Sequence, residues 1–186
     1  MSRKSARDPR VQKTRRSLHE ALIGLVREKD YHDIPVREIL DRAKVGRSTF
    51  YMHFADKDEL LASGIQRIAE CSGHGDPLTS FSLPVLEHHE QHRRTGRMSR
   101  NARRLLHGRL RSAIAKRVRD DLIRSELRRR TRLRVPADLL AACVASTFVV
   151  VLDWWLDTRS ALSPAEVNDL FCSLVTGVRS SAVETT

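Results

Sequence analysis

Apolar residues recur every three or four positions along most of this chain, which is the spacing of helices that each bury one face. Alternating patterns typical of strands are scarce. The first helix is predicted to begin with Asp8 as its N-cap and Pro9 at its first position, and to end near Lys29. Its apolar stripe comprises Val11, Leu18, Ala21, Leu22, Leu25 and Val26. The sequence therefore predicts an all-α fold.

Two short helices with a tight break between them follow the first helix. The earlier one is predicted over residues 36–43, and residues 44–46 form the break. The later one begins near Gly46 in the segment KVGRSTFYMHF. Asp56 and Glu59 then form a capping box that begins a fourth helix. This arrangement describes a helix-turn-helix, whose second helix lies in the DNA major groove with its N-terminal residues at the base edges.

The later short helix combines an apolar ridge with a dense set of hydrogen-bonding groups. Phe50 and Phe54 lie one turn apart and are predicted to be core. A guanidinium binds a guanine edge or a phosphate, hydroxyls bind phosphates, and the methyl of Thr49 is an alternative contact for thymine. Lys57, in the next helix, is predicted to lie beside a phosphate. The predicted DNA-binding residues are Arg47, Ser48, Thr49, Tyr51, His53 and Lys57.

The charge of the chain favours a polyanionic partner, most simply nucleic acid. The 186 residues carry a formal net charge of +11. Residues 1–54 hold thirteen Lys and Arg against seven Asp and Glu, and residues 91–134 hold seventeen against three. The second basic zone has three interpretations: a solvated face, an anion-accepting effector pocket, or auxiliary DNA contact. Weak candidates for an effector site are Arg103, Arg104 and Trp154.

A segment rich in Gly, Ser and Pro, residues 71–84, is predicted to join two domains. Residues 1–70 are the predicted helix-turn-helix DNA-binding domain, and residues 71–186 the predicted helical effector-binding and dimerisation domain. The helices predicted in the second domain cover residues 85–94, a long arginine-rich stretch to about residue 130 with an allowed break near Gly108, residues 136–158, and residues 163–180.

Other classes of protein receive little support. Three widely spaced cysteines form no disulfide framework, and MSRKSARDPR has no apolar core for a signal peptide, so a cytoplasmic location is expected. The apolar run 139–152 contains Ser146 and Thr147 and stops at Asp153, so it is predicted to be a buried helix with no membrane contact.

No motif for catalysis is present, so we expect no enzyme and no cofactor. The histidine cluster of residues 88, 89 and 92 also lacks the tightly paired spacing of zinc sites, even with Cys71, His74 and Asp76 nearby. No metal is therefore predicted.

The segment VREILDRAKVGRSTFYMHFADKDELL resembles the DNA-binding domain of TetR/AcrR-type regulators over about residues 8–68. The matching positions are Thr49, Phe50, Tyr51, His53, Phe54, Lys57, Leu60 and Leu61. The sequence departs from that pattern at Pro35, where the family has a capping Thr or Ser and where proline is expected as a first-turn residue, and at Lys44, where the family has Gly. Gly46 also replaces a Ser or Asn that often contacts a phosphate. A left-handed Lys44 would be strained by about 1 kcal/mol.

The resemblance implies a ligand-responsive transcriptional regulator, most often a repressor. It implies a homodimer on a palindromic operator in double-stranded DNA, formed through the two final helices, and an unidentified small-molecule effector. Two alternatives stay open. One is a helical interaction protein without sequence reading. The other is a basic DNA-binding protein without operator specificity, which uses the arginine-rich stretch.

Overall fold

The structure, a computed structural model, describes residues 8–70, 76–92, 100–129, 133–158 and 160–182. These residues form α-helices and no β-strand, so the all-α prediction is confirmed. One 3₁₀ turn, Tyr31–Asp33, precedes the second helix. The helices are α1 (Pro9–Glu28), α2 (Val36–Ala43), α3 (Arg47–His53), α4 (Lys57–Glu70), α5 (Ser82–His92), α6 (Arg100–Arg129), α7 (Ala137–Asp157) and α8 (Pro164–Ala182).

The chain divides into two compact units. The first comprises Met1–Gly64 with Gly96–Leu106, and the second comprises Ile65–Thr95 with His107–Thr186. The boundary between the two units therefore lies inside α4, and the first residues of α6 belong to the first unit. The two domains predicted on either side of residue 70 therefore stay a functional prediction.

Several helices begin where the sequence places their caps. Asp8 Oδ1 accepts the Arg10 N–H at 2.9 Å at the start of α1. At the start of α8, Ser163 Oγ accepts the Glu166 N–H at 3.3 Å, and Glu166 Oε2 accepts the Ser163 N–H at 2.8 Å. These bonds satisfy N–H groups that a helix leaves without an internal partner. The predicted starts of α1 and α8 are confirmed.

Three local predictions need correction. Pro35 is the N-cap of α2, with extended backbone and no side-chain cap, rather than a first-turn residue. Helix α5 begins at Ser82 instead of Val85, and Ser82 Oγ donates to the Thr79 carbonyl at 2.7 Å. Helix α6 continues through Gly108, because one interior glycine costs only about 1 kcal/mol relative to alanine.

The core of the first unit forms around one face of α1. Five residues of its predicted stripe are buried, while Val11 is half-buried. A salt bridge connects α1 with α2, with Arg42 Nη1 2.7 Å from Glu28 Oε1. The buried residues contributed by α2, α3, α4 and the loops between them are Ile34, Ile39, Leu40, Phe50, Phe54, Leu60 and Leu61.

An aromatic cluster organises the core of the second unit. The rings of Phe81, Phe148 and Phe171 are fully buried and meet edge to face, with centroids 5.1 to 5.8 Å apart. The buried Trp155 donates its indole N–H to the Leu162 carbonyl at 3.0 Å, which connects α7 to the segment before α8. These contacts join α7 and α8 to Phe81, the residue before α5.

Helix α7 is longer than the apolar run 139–152. By length and composition alone, and despite Ser146, Thr147 and Asp153, it could cross a membrane. Its packing is nevertheless that of a core helix within the described part of the second unit. Asp153 Oδ1 lies 2.9 Å from Nδ1 of the buried His107 on α6. The buried residues of α7 are Leu140, Ala141, Val144, Ala145, Phe148, Val151, Leu152 and Trp155.

Candidate nucleic-acid interface

Two buried phenylalanines fix the orientation of α3. Phe50 is fully buried and Phe54 is 2% exposed, and their ring centroids lie 5.9 Å apart. The ring of His19 on α1 meets Phe54 edge to face, and the Arg15 guanidinium lies 5.0 Å from the centre of the Phe54 ring. Because one face of α3 is held by these contacts, the opposite face is presented to solvent.

The turn between α2 and α3 contains a lysine with a left-handed backbone conformation. Lys44 has φ 56° and ψ 41°, the conformation that favours glycine, and it ends α2. The next N–H, that of Val45, donates to the Leu40 carbonyl at 3.1 Å. Gly46, the N-cap of α3, has an extended backbone and supplies no side-chain cap. The turn thus has helix-turn-helix geometry despite both departures from the family pattern.

The solvent-facing side of α3 carries most of the predicted DNA-binding residues. Arg47, Ser48 and Tyr51 are exposed, whereas Thr49 and His53 are half-buried. The Arg47 guanidinium lies 5.7 Å from the centre of the Tyr51 ring, so a cation–π contact pairs two side chains one turn apart. This face therefore offers a cation, a phenol and hydroxyls side by side, a set that suits phosphates and base edges.

The ammonium group of Lys57 is bonded within the protein. Its Nζ donates to the carbonyls of Tyr31 at 2.8 Å, His32 at 3.2 Å and Ile34 at 2.9 Å. The same ammonium lies 4.6 Å from the centre of the Tyr31 ring. All three of its protons therefore point to backbone oxygens of the α1–α2 connection. In this geometry Lys57 holds backbone carbonyls of the first unit, and its contact with a phosphate stays a prediction.

Tyr31 completes this arrangement from the other side. Its hydroxyl donates to Asp58 Oδ1 at 2.7 Å, next to Lys57 in the first turn of α4. We call these three residues, Tyr31, Lys57 and Asp58, the Tyr31 clamp. Because α3 lies between α2 and α4 in the chain, the clamp holds together the two ends of the segment that contains it.

One exposed residue of α3 is absent from the sequence-based prediction. Met52 is 61% exposed, the largest exposed fraction among the large hydrophobic residues in the described part of the first unit. It lies four residues after Ser48 and therefore on the same face of α3. This spacing could have identified Met52 from the sequence, but its thioether is not among the hydrogen-bonding groups on which the prediction was based.

The candidate effector residues do not come together within one unit. Arg103 is half-buried and Arg104 is exposed, and both belong to the part of α6 assigned to the first unit. Trp154 belongs to the second unit and is 44% exposed. Their role in ligand binding stays a prediction.

The described residues contain no group of three or more His, Cys, Asp or Glu arranged to hold a metal ion. Two of the histidines considered for such a site, His88 and His89, are half-buried on α5, and their rings meet edge to face. Cys71 and His74 lie outside the described residues, as does the side chain of His92.

Comparison with known proteins identifies the helix-turn-helix. Residues 19–63 match the family described as bacterial regulatory proteins, tetR family. The HTH-type transcriptional regulator YxbF of Bacillus subtilis is 41% identical over 78 residues, which cover 41% of this chain and 20% of YxbF. The chain thus spans about a fifth of the length of this curated relative.

Solved structures share the fold over nearly the whole chain. A TetR transcriptional regulator from Streptococcus agalactiae is 24% identical with a TM-score of 0.53, covering 92% of this chain and 98% of that one. The regulator FadR from Bacillus subtilis, solved in complex with stearoyl-CoA, is 14% identical with a TM-score of 0.52, covering 86% and 96%. At these identities the likeness shows the fold.

Proposed function

We propose that this chain is a member of the tetR family of bacterial regulatory proteins, which its residues 19–63 match, and that it acts as a dimeric, ligand-responsive transcriptional repressor of the cytoplasm. The observation that carries the proposal is the solvent-facing side of α3, where Arg47 and Tyr51 stand exposed over a buried phenylalanine ridge. A short helix anchored on one face and polar on the other is what major-groove reading requires.

The DNA-binding residues of this proposal are Arg47, Ser48 and Tyr51, with Thr49 and His53 at the edges of the face. Arg47 binds a guanine edge or a phosphate, and Tyr51 donates from its hydroxyl to the sugar-phosphate backbone. The formal net charge of +11 supports the attraction to DNA that precedes sequence reading.

Dimerisation is supported by apolar residues that the second unit leaves exposed. On α7, Leu139 is 55% and Val150 is 67% exposed. On α8, the predicted stripe splits: Phe171 is buried while Leu170 and Leu174 are 44% and 57% exposed. A second copy that packs the same two helices against these faces would form a four-helix bundle. Such a dimer would present two copies of α3 to the half-sites of a palindrome, about 35 Å apart.

The effector is proposed to be a small molecule held by the second unit. FadR, which shares the fold, was solved in complex with stearoyl-CoA, and this supports ligand binding as a property that the fold permits. An effector that binds the DNA-free form more tightly lowers operator affinity by the same factor, because the coupling between two sites is reciprocal. Arg103, Arg104 and Trp154 stay weak candidates for its contacts.

The test is selection of genomic fragments that the purified chain binds, followed by a salt titration on the enriched sequence. We expect one palindromic site. Tyr51→Ala and Arg47→Ala should each weaken binding to it by roughly tenfold or more, since a good base or phosphate contact contributes about 1–3 kcal/mol. Arg104→Ala is the matched control, because it removes an exposed arginine outside α3.

The alternatives predict other results. Broad binding that depends steeply on salt, weakens in Arg104→Ala and ignores Tyr51→Ala would indicate a basic protein without operator specificity. Absence of any DNA binding at low salt would leave the helical interaction protein and would refute the regulator proposal.

A further inference from the structure

Met52 occupies an unusual place for an exposed apolar side chain. Single exposed hydrophobic residues are ordinary on protein surfaces. This one, 61% exposed, lies among the hydrogen-bonding groups of the face that α3 presents to solvent. The helix cannot rotate to bury it, because Phe50 and Phe54 hold the opposite face in the core. What covers Met52 must therefore approach the face that it shares with Ser48, opposite the two phenylalanines.

The charge around Met52 restricts the kind of partner. Helix α3 contains no carboxylate, Arg47 is exposed at its first position, and the exposed Lys44 lies in the turn before it. These charges favour a polyanion, and DNA carries one strongly apolar group in its major groove, the C5-methyl of thymine. A thioether is at most a weak hydrogen-bond acceptor, so it is suited to this methyl and not to the polar base edges.

The direction of helical side chains brings the side chain of Met52 toward the N-terminal turn of α3. Long side chains on a helix lean toward its N-terminus, so a residue covers the turn that precedes it. Met52 thus covers the turn that contains Ser48, where recognition helices meet base edges. We propose that Met52 is a specificity-determining residue that packs against the C5-methyl of one thymine in each half-site. This inference rests on the proposed function, since it requires an operator.

Deoxyuridine provides the test, because it lacks the C5-methyl and keeps every hydrogen-bonding edge of thymine. In the operator obtained by selection, each thymine is replaced singly by deoxyuridine, and the Kd of the full chain is measured for every duplex. At one thymine per half-site we expect the replacement to raise Kd about fourfold, as for one methyl group returned to water. Replacement at any other thymine should change Kd by the same factor whether or not Met52 is present.

Two variants connect that thymine to Met52. Met52→Ala should bind the thymine and deoxyuridine duplexes with equal affinity at the sensitive position. Met52→Leu, which keeps an apolar side chain of similar size, should retain the discrimination. Both residues are good helix formers at an exposed position, so α3 should stay folded, and circular dichroism checks this.

The outcomes separate the two proposals. Suppose that an operator is found, but that the ratio of Kd values for the thymine and deoxyuridine duplexes is the same for Met52→Ala as for the unmodified chain at every position. The role of Met52 is then refuted and operator binding stands. If Met52→Leu also loses the discrimination, the contact depends on more than apolar packing and the inference fails in the same way. If no operator is enriched at all, the proposed function itself fails.

Discussion

Replacing Lys57 by Met tests whether this residue stabilises the fold or contacts DNA. Methionine keeps most of the length and apolar stem of the side chain but removes the ammonium group. The lost interactions are the hydrogen bonds to the carbonyls of Tyr31, His32 and Ile34 and the cation–π contact with the Tyr31 ring. The loop between α1 and α2 would then be held to α4 by the Tyr31–Asp58 hydrogen bond, 2.7 Å long.

The magnitude follows from the exposure of the partners. Hydrogen bonds to a charged group contribute about 1.5–3 kcal/mol when buried, but Lys57 is half-buried and one of its three acceptors is exposed to water. We therefore take roughly 0.5 kcal/mol for each hydrogen bond and roughly 0.5 kcal/mol for the ring contact. Together they give about 2 kcal/mol, which corresponds to a fall in Tm of about 4–8 °C for a chain of this size.

The assay is thermal and urea unfolding followed by circular dichroism, with DNA affinity measured below the transition. Lys116→Met is the matched control, since it removes the same charge from an exposed position on α6. We expect Lys57→Met to unfold at lower temperature than Lys116→Met and to bind DNA with nearly normal affinity while it is folded. If the two variants unfold alike and only Lys57→Met loses DNA affinity with a shallower salt dependence, Lys57 is a phosphate contact and our reasoning is wrong.

Three further predictions concern the turn, the last helix and the dimer. Lys44→Gly should raise the free energy of unfolding by about 0.5–1 kcal/mol, because it relieves left-handed strain at φ 56°; destabilisation in urea would contradict this. Hydrogen bonds from Ser163 hold the pKa of Glu166 below its usual range, so the stability they give is present above the unfolded pKa near 4.5 and is lost as pH falls through the folded pKa. Glu166→Gln should therefore unfold more easily than the unmodified chain at neutral pH, with the difference shrinking in acid. Leu174→Glu should raise the dimer dissociation constant by more than about a hundredfold in analytical ultracentrifugation, whereas the exposed Ser112→Glu on α6 should not.

The features that could be predicted from sequence are those whose causes are local. The caps of α1 and α8 lie within three residues of the N–H groups they satisfy, so their residue types and spacing determine them. The left-handed Lys44 was also foreseeable, because a helix that ends in so tight a turn needs that conformation whatever residue occupies it.

Burial was harder to predict, because the helical period identifies an apolar face without identifying what covers it. The apolar positions of α8 form one stripe in the sequence, yet Phe171 is fully buried and Leu174, three residues later, is 57% exposed. The difference arises from the packing of α8 against α5 and α7, which involves residues far away in the chain. Only the three-dimensional arrangement separates the part of the stripe that forms the core from the part left for a partner.

Lys57 and Arg47 show why residue type alone does not separate a cation that is bonded within the protein from one that is available to a ligand. Both are cations beside the same short helix, and both were assigned to DNA. The acceptors of Lys57 lie 23 to 26 residues earlier in the chain, so no local pattern indicates that its protons are already bonded. Arg47 instead stands exposed on α3 beside Tyr51, where its guanidinium can reach a ligand. Because an ammonium that has exchanged water for three carbonyls gains little by leaving them for a phosphate, hydrogen-bond satisfaction distinguishes the two cations where charge does not.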